Sequence, residues 1–163
     1  MESAYDFDVA VAAGADLIAH LPGFWPDADR IKAKGAGIYR LSEDAVRRAA
    51  RQGTVVITTV NTDVLRNATP EVRARVFDVL RWNFDVLKRH GVKIAIGSDQ
   101  TRSSSVPEAL MIAQAGLMTS AEVLQSLSVT TPAAIFPQRA PFGLAEGAAA
   151  SFVALERDPL QDL

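Results

Sequence analysis

Two short apolar segments, each leading into a potential metal ligand, constrain this chain more than any other feature. Residues 15–19 run into His20 and a Leu-Pro-Gly turn, and residues 91–96 run into Gly-Ser-Asp, ending at Asp99. Such segments are typical of short buried strands. In a barrel of parallel strands, the residues at the C-terminal strand ends meet at one mouth. A His and an Asp delivered to that mouth can hold a metal ion and activate a water molecule.

Composition narrows the class of protein. The 163 residues are enough for one modest domain, and 48% of them are hydrophobic, which excludes a disordered chain. The 17 basic and 19 acidic residues give a net charge of -2 and are dispersed, so no nucleic-acid partner is expected. No apolar run approaches the roughly 20 residues of a membrane span. The first residues lack a signal-peptide pattern, so we expect none in this chain; the compartment stays open.

Ligand chemistry is limited by the residues present. There is no cysteine, which excludes disulfides and thiolate sites, and there are two histidines, His20 and His90. A catalytic zinc site usually takes three protein ligands, so a His-rich site needs ligands from elsewhere. His90 precedes a predicted strand, and we expect it on the face opposite the mouth, away from any metal.

The order of predicted elements indicates an α/β fold. Three predicted strands, over residues 16–20, 54–60 and 92–98, alternate with helices, which favours a parallel sheet. Residues 151–155 alternate between apolar and polar types and predict a further strand. The predicted helices cover residues 6–14, 42–51, 69–90, 106–115 and 120–128, and a short one starts at Thr131.

Helix starts are marked by capping residues. Ser42 and Thr69 are predicted N-caps, the latter with Pro70 in the first position. The pairs Ser105–Glu108 and Thr119–Glu122 have the spacing of capping boxes.

Each candidate site residue also has a structural interpretation. His20 is compatible with a core histidine bonded to a backbone carbonyl, and Asp99 with a turn or helix cap. Ser98 and Gln100 flank Asp99 and are candidate supporting partners. Candidates with weaker support are Asn61 and Thr62 at the end of the middle strand, and Arg40 as a contact for an anionic substrate group.

Several segments together resemble one enzyme superfamily. Residues 13–20 resemble the late-barrel histidine segment of the amidohydrolase superfamily, the metal-dependent hydrolases that include imidazolonepropionase-like enzymes. Residues 91–99 resemble its last barrel strand, and residues 130–134 its following helix. Residues 143–160, with Ser151 to Leu155 inside them, resemble its C-terminal segment. The combination of residues 91–99, which end at Asp99, with the C-terminal residues 143–160 is the most specific part of this resemblance.

The resemblance implies an incomplete fold. Residues 1–140 would be about three βα units from the C-terminal part of a (β/α)8 TIM-like barrel, and residues 141–163 would return to a small β-sandwich domain. The family's His-x-His pair is absent from this chain. We therefore expect a missing N-terminal half of the barrel as one partner. We also expect self-association, because three parallel strands leave an exposed edge and uncovered faces.

The resemblance also implies a reaction. The complete enzyme would bind one or two divalent metal ions, with zinc favoured, and hydrolyse a C–N bond of a small molecule. His20 would bind the metal or polarise the substrate carbonyl, and Asp99 would bind the metal and take a proton from the attacking water. The chain alone is expected to be inactive. The alternative is a non-catalytic α/β binding or assembly module in which His20 and Asp99 are structural.

Overall fold

The computed structural model describes residues 2–23, 35–60, 62–100, 103–139, 143–161 and 163. Its centre is a three-stranded parallel sheet made of β1 (Leu17–Ala19), β2 (Val55–Ile57) and β3 (Lys93–Ala95), in the order β1-β2-β3. Ile18 pairs with Val56, and Val56 with Ile94. The predicted α/β alternation with a parallel sheet is confirmed. The strands are shorter than predicted. His20, directly after β1, and Thr59, two residues after β2, have a positive φ and so leave the extended conformation.

Helices surround this sheet in the order expected of βα units. Helix α1 (Ala4–Ala12) precedes β1, and the long helix α4 (Pro70–Arg89) connects β2 to β3. A short helix, α3 (Thr62–Asn67), lies between β2 and α4 and was not predicted from the sequence. The remaining elements are a 3₁₀ helix (Ala36–Tyr39), α2 (Glu43–Gln52), α5 (Val106–Gln114), α6 (Ser120–Gln125), a π-helical turn (Ser126–Thr130), α7 (Thr131–Ile135) and a second 3₁₀ helix (Pro137–Arg139).

Most predicted helix caps form as the local sequence requires. The Ser42 hydroxyl accepts from the Ala45 N–H, and the Thr69 hydroxyl accepts from the Val72 N–H ahead of α4. Thr119 and Glu122 form the predicted capping box. These bonds satisfy backbone N–H groups that the first helical turn leaves without partners.

The capping box predicted for Ser105 and Glu108 is wrong. The Ser105 side chain makes no capping bond, and the Glu108 side chain is buried instead of turning back to the helix start. Its carboxyl contacts the Thr58 hydroxyl beyond β2. A tertiary hydrogen bond to a distant strand end thus replaces the local bond that the spacing predicted.

The late strand predicted at residues 151–155 is also wrong. These residues form no strand in the described chain, and Phe152, Val153 and Leu155 are exposed. A strand requires a neighbouring strand for its backbone hydrogen bonds, and alternation alone provides none. The described residues between 143 and 161 form bends, turns and irregular backbone, with no helix or strand among them. The division at residue 140 into two domains therefore stays a prediction.

The two faces of the sheet are covered unequally. Ile18, Val56 and Ile94 lie side by side on a buried face, against a core that includes Phe84 and Leu87 from α4. Side chains alternate between faces along a strand, so the neighbouring positions form the other face. On that face Leu17 is 39% exposed and Ala19, Val55 and Ile57 are half-buried, whereas Ala95 of β3 is buried. Parallel sheets are normally covered on both faces, so this face has room for further protein.

The outer side of β3 is bonded to side chains from the helices that follow it. The Ser126 hydroxyl donates to the Ile94 carbonyl at 2.8 Å, and the Ile96 N–H donates to the Thr131 hydroxyl at 3.0 Å. The π-helical turn and the start of α7 thus supply partners for backbone groups of β3 and its extension. Separately, no helix among the described residues is long and apolar enough to cross a membrane.

Candidate active site at the carboxyl edge of the sheet

His20 directly follows β1 and has an unusual backbone conformation. Its φ is +67°, a region that few non-glycine residues occupy. The side chain is half-buried, and its Nδ1 lies 3.0 Å from the Thr59 hydroxyl oxygen. The bend at His20 ends β1 and leads into the Leu-Pro-Gly turn that the sequence predicted.

Thr59, two residues beyond β2, also has a positive φ, of +44°. For a β-branched residue this conformation is costly and persists only where its surroundings impose it. Thr58 is held on both sides, because its N–H donates to Ala95 at 3.0 Å and its carbonyl accepts from Leu21 at 3.1 Å. Sparsely populated backbone conformations cluster at functional sites. His20 and Thr59 both have such a conformation and are in contact, which makes this edge of the sheet a candidate functional site.

Asp99 lies beyond the carboxyl end of β3, and its side chain is exposed. Since β1, β2 and β3 are parallel, His20 and Asp99 both follow the same edge of the sheet, from strands separated by β2. Two strand spacings correspond to roughly 10 Å between the strand axes. Ser98, a predicted partner of Asp99, accepts from the Gln100 N–H at 3.1 Å and so forms a local turn.

Gly97 allows the extension of β3 to pass close to the end of β2. A methyl group at this position would lie 2.6 Å from Ile57 Cγ2 and 2.9 Å from Thr59 Cγ2. Real Cβ atoms do not approach other atoms so closely, so a larger residue would displace one of these side chains. Gly97 therefore contributes to the position of Thr59, and through it to the surroundings of His20.

The loop after His20 is anchored by a buried amide. Asn83 in α4 accepts from the Leu41 N–H at 2.8 Å and donates to the carbonyls of Pro22 and Tyr39 at 3.0 and 2.9 Å. These three backbone groups would otherwise be buried without partners. Asn83 thus ties the chain just beyond His20 to the long helix. Sequence reasoning missed it, although a single Asn within an apolar helical face is a detectable signal.

Glu108 is the second functional candidate that sequence reasoning missed. The residue is 2% exposed, its Oε1 accepts from the Thr58 hydroxyl, and its Oε2 is buried without a hydrogen-bond partner. Burial raises the pKa of Glu108 to about 7, although the Thr58 hydroxyl and the Val60 backbone amide favour the ionised form. The available signal was its position one helical turn before Ile112, on the core face of α5.

The other predicted candidates lie elsewhere or outside the description. His90 ends α4, and its Nε2 is 3.6 Å from Glu43 Oε2, at the opposite end of β3 from Asp99. Arg40 forms a surface ion pair with Asp78 at 2.6 Å. Asn61 and the side chain of Thr62 lie outside the described residues.

The side chains at this edge include two of the residue types that bind metal ions. His20 and Asp99 are residue types that bind zinc, and Nδ1 of His20 already has the kind of oxygen partner that supports a histidine ligand. Within the described ranges, no group of three His, Cys, Asp or Glu side chains converges. The residues present therefore fit part of a metal site, and a complete ligand set needs further residues.

Solved structures resemble the chain over nearly its whole length. A prolidase crystallised with N-methylphosphonate-L-proline matches 99% of the chain, with 24% sequence identity and a TM-score of 0.66. A protein described as uncharacterized matches 99% at 22% identity and a TM-score of 0.67. The A. niger ochratoxinase matches 96% at 22% identity and a TM-score of 0.66. The chain therefore shares its fold with a part of each of these proteins. The resemblance seen in the sequence is thus confirmed at the level of the fold.

The match covers only part of the length of each of the three proteins. The chain spans 38% of the length of the first two proteins and 34% of the ochratoxinase. Comparison with protein-family models and with curated proteins finds no match. These proteins are therefore much longer than the segment that the 163 residues match, which is consistent with the prediction of a C-terminal portion.

Proposed function

We propose that this chain is the C-terminal part of a metal-dependent amidohydrolase that hydrolyses a C–N bond of a small molecule. One observation carries the proposal. His20 and Asp99 follow the carboxyl ends of parallel strands, at one edge of a sheet whose fold matches part of a prolidase and of an ochratoxinase. Enzymes built on parallel βα units place their reacting groups at this edge.

The proposed substrate class comes from the first of these structures. The N-methylphosphonate-L-proline in the prolidase carries a tetrahedral phosphorus group, a geometry that resembles the water adduct of an amide carbonyl. By analogy, we propose that the substrate of the complete enzyme is an amide or a cyclic amide. Transition-state analogues bind tightly because an enzyme is complementary to the tetrahedral species.

The roles of the two residues follow from their chemistry. A divalent metal, with zinc favoured, lowers the pKa of the water it holds and polarises a carbonyl. Asp99 is exposed at the edge, and as a carboxylate it accepts the proton of the attacking water and passes it to the leaving nitrogen. His20 acts as a ligand or as a donor to the substrate carbonyl. We propose that the remaining ligands lie outside these 163 residues.

The incomplete cover of one sheet face supports the need for further protein. Leu17 is 39% exposed there, and the tail places Leu144 and Phe152 at 95% and 73% exposure. Exposed apolar surface of this kind favours association. We therefore expect the chain alone to self-associate and to bind zinc weakly. Sedimentation velocity that shows a monodisperse monomer, together with tight zinc binding, would contradict the incomplete-site interpretation.

The proposal is tested by supplying the missing part. The upstream protein sequence is co-expressed with the chain, and zinc content and amide hydrolysis are measured. Asp99→Asn should abolish turnover while the fold survives, and His20→Asn should reduce zinc content. His90→Gln is the matched control, because His90 lies at the other end of β3. If Asp99→Asn and His20→Asn retain zinc and turnover, the site does not depend on these two residues. If the completed protein shows neither zinc binding nor amide hydrolysis, the non-catalytic alternative replaces the hydrolase.

A further inference from the structure

The buried carboxyl of Glu108 reaches across from α5 to the end of β2. Its Oε1 accepts from the Thr58 hydroxyl, and the backbone amide of Val60 also favours its ionised form. Thr58 and Val60 are themselves buried. Glu108 therefore contacts the residues on both sides of Thr59, and not a group in its own helix.

Fold stability does not account for a carboxyl at this position. The Oε2 of Glu108 is buried without a hydrogen-bond partner among the described residues, which carries an energetic cost. An apolar side chain of similar size would fill the same space without that cost. The carboxyl thus has a local effect that an apolar residue would not reproduce, namely its hold on the Thr58 hydroxyl.

That hold bears on Thr59. With its φ of +44°, Thr59 needs its neighbours to keep it in place. Thr58 is fixed by backbone bonds to Ala95 and Leu21 and by its side-chain bond to Glu108. Removal of the side-chain bond would leave the backbone pairing intact but would free the turn that orients the Thr59 side chain.

Thr59 in turn bears on His20. The Thr59 hydroxyl lies 3.0 Å from Nδ1 of His20. The partner of one imidazole nitrogen decides which tautomer is present and which nitrogen is presented to a ligand. A Thr59 hydroxyl that accepts from Nδ1 leaves the lone pair on Nε2.

We propose that Glu108 is a positioning residue for His20, which acts through Thr58 and Thr59 to hold the His20 ring in one tautomer with Nε2 as the ligand nitrogen. The role of that nitrogen as a metal ligand rests on the proposed function. The connection itself consists of two side-chain hydrogen bonds and the backbone between Thr58 and Thr59, and it does not need the metal.

The test reads the His20 tautomer directly. The full chain is labelled with ¹⁵N-histidine, and long-range ¹H–¹⁵N spectra are recorded at alkaline pH, once the imidazole signals no longer change with pH. His90 is the internal reference, because it lies at the other end of β3. We expect His20 to show the pattern of a single Nδ1–H tautomer. Glu108→Ala and Thr58→Val should shift it toward a mixture of tautomers, with His90 unchanged, while Glu108→Gln should keep the single form.

Controls separate positioning from loss of stability. Ile112→Ala, one turn further along α5, removes buried apolar volume without removing the bond to Thr58, so His20 should keep its single tautomer. If Glu108→Ala fails to fold, Thr58→Val decides, because the Thr58 backbone bonds to the sheet remain. A single tautomer of His20 in folded Thr58→Val, or an equal loss in Ile112→Ala, would overturn the proposal.

A zinc titration of the same variants, in the protein completed by its upstream part, distinguishes this inference from the proposed function. A mixture of His20 tautomers in the variants, with no zinc bound by the completed protein without substitutions, would leave Glu108 as a positioning residue and remove the metal from the proposed function. Zinc binding at His20 that is equally tight in all variants would overturn the positioning role and leave the metal site standing.

Discussion

His20 and Thr59 touch through their side chains, at 3.0 Å, although each has a left-handed backbone conformation, with φ of +67° and +44°. They come from adjacent strands and meet just beyond the sheet. Neither conformation is favourable for these residue types, so the rest of the fold must stabilise both. The contact concentrates strain at the edge where the proposed chemistry takes place.

Loss of the Thr59 hydroxyl should weaken zinc binding. Thr59→Val keeps the shape but removes the partner of His20 Nδ1, and loss of such a partner typically lowers metal affinity about 10–100-fold. The measurement is competition with a chelator in the protein completed by its upstream part. Thr59→Ser is the control that keeps the hydroxyl. Equal affinity in both variants would show that the contact does not support a ligand.

Glu108 should make stability depend on pH. Its pKa is about 7 in the fold, against 4.5 for an ordinary glutamate, so the folded chain holds the proton more tightly than the unfolded chain. The tighter binding of this proton therefore adds to the free energy of unfolding below pH 4.5, and this stabilisation is lost as the pH rises toward 7. The loss amounts to roughly 3 kcal/mol in the free energy of unfolding. Urea unfolding between pH 4.5 and 8 measures it.

The matched variants for this pH dependence are Glu108→Gln and Ile112→Val. Glu108→Gln keeps an acceptor for Thr58 and should flatten the decline in stability. Ile112→Val should lower the free energy of unfolding by about 1 kcal/mol at every pH, without a change of slope. A Glu108→Gln profile that parallels the parent chain would show that another group causes the pH dependence.

Replacement of Asn83 should destabilise the fold strongly. Asn83→Ala leaves the backbone groups of Leu41, Pro22 and Tyr39 without their partner, which should cost about 3 kcal/mol in the free energy of unfolding. Denaturant unfolding is the measurement. Arg75→Ala, an exposed change on the same helix, should alter stability by less than about 0.5 kcal/mol. Similar losses in the two variants would mean that the loop does not depend on Asn83.

A side chain at Gly97 should disturb the same edge. Gly97→Ala places its methyl group against Ile57 and Thr59, and overpacking of this kind costs about 1–3 kcal/mol. Thr59→Ser removes one of the two clashing methyl groups, so the double variant should recover part of the loss. If the two effects are simply additive in thermal unfolding, Gly97 and Thr59 are not packed as described.

Much of the fold could be predicted because its signals are local. Ser42, Thr69 and Thr119 cap helices through bonds to residues three positions along, and the apolar runs before His20 and Asp99 mark two strand ends. The connectivity then places both residues at one sheet edge. Glu108 could not be predicted, because its partner Thr58 is 50 residues away in the chain. The positive φ of Thr59 is imposed by tertiary packing, and a threonine in the sequence does not predict such a conformation.

The hydroxyl groups of Ser126 and Thr131 have a consequence for how the sheet can grow. Both bind backbone atoms on the outer side of β3 and its extension, at Ile94 and Ile96. Any strand that pairs there, including the first strand of a completed barrel, must first replace both bonds, so in this chain the border resists the strand addition that leads to aggregates. Association of copies through the apolar sheet face leaves these bonds intact. The hydroxyl groups of Ser126 and Thr131 thus favour association through the sheet face over strand pairing at this border.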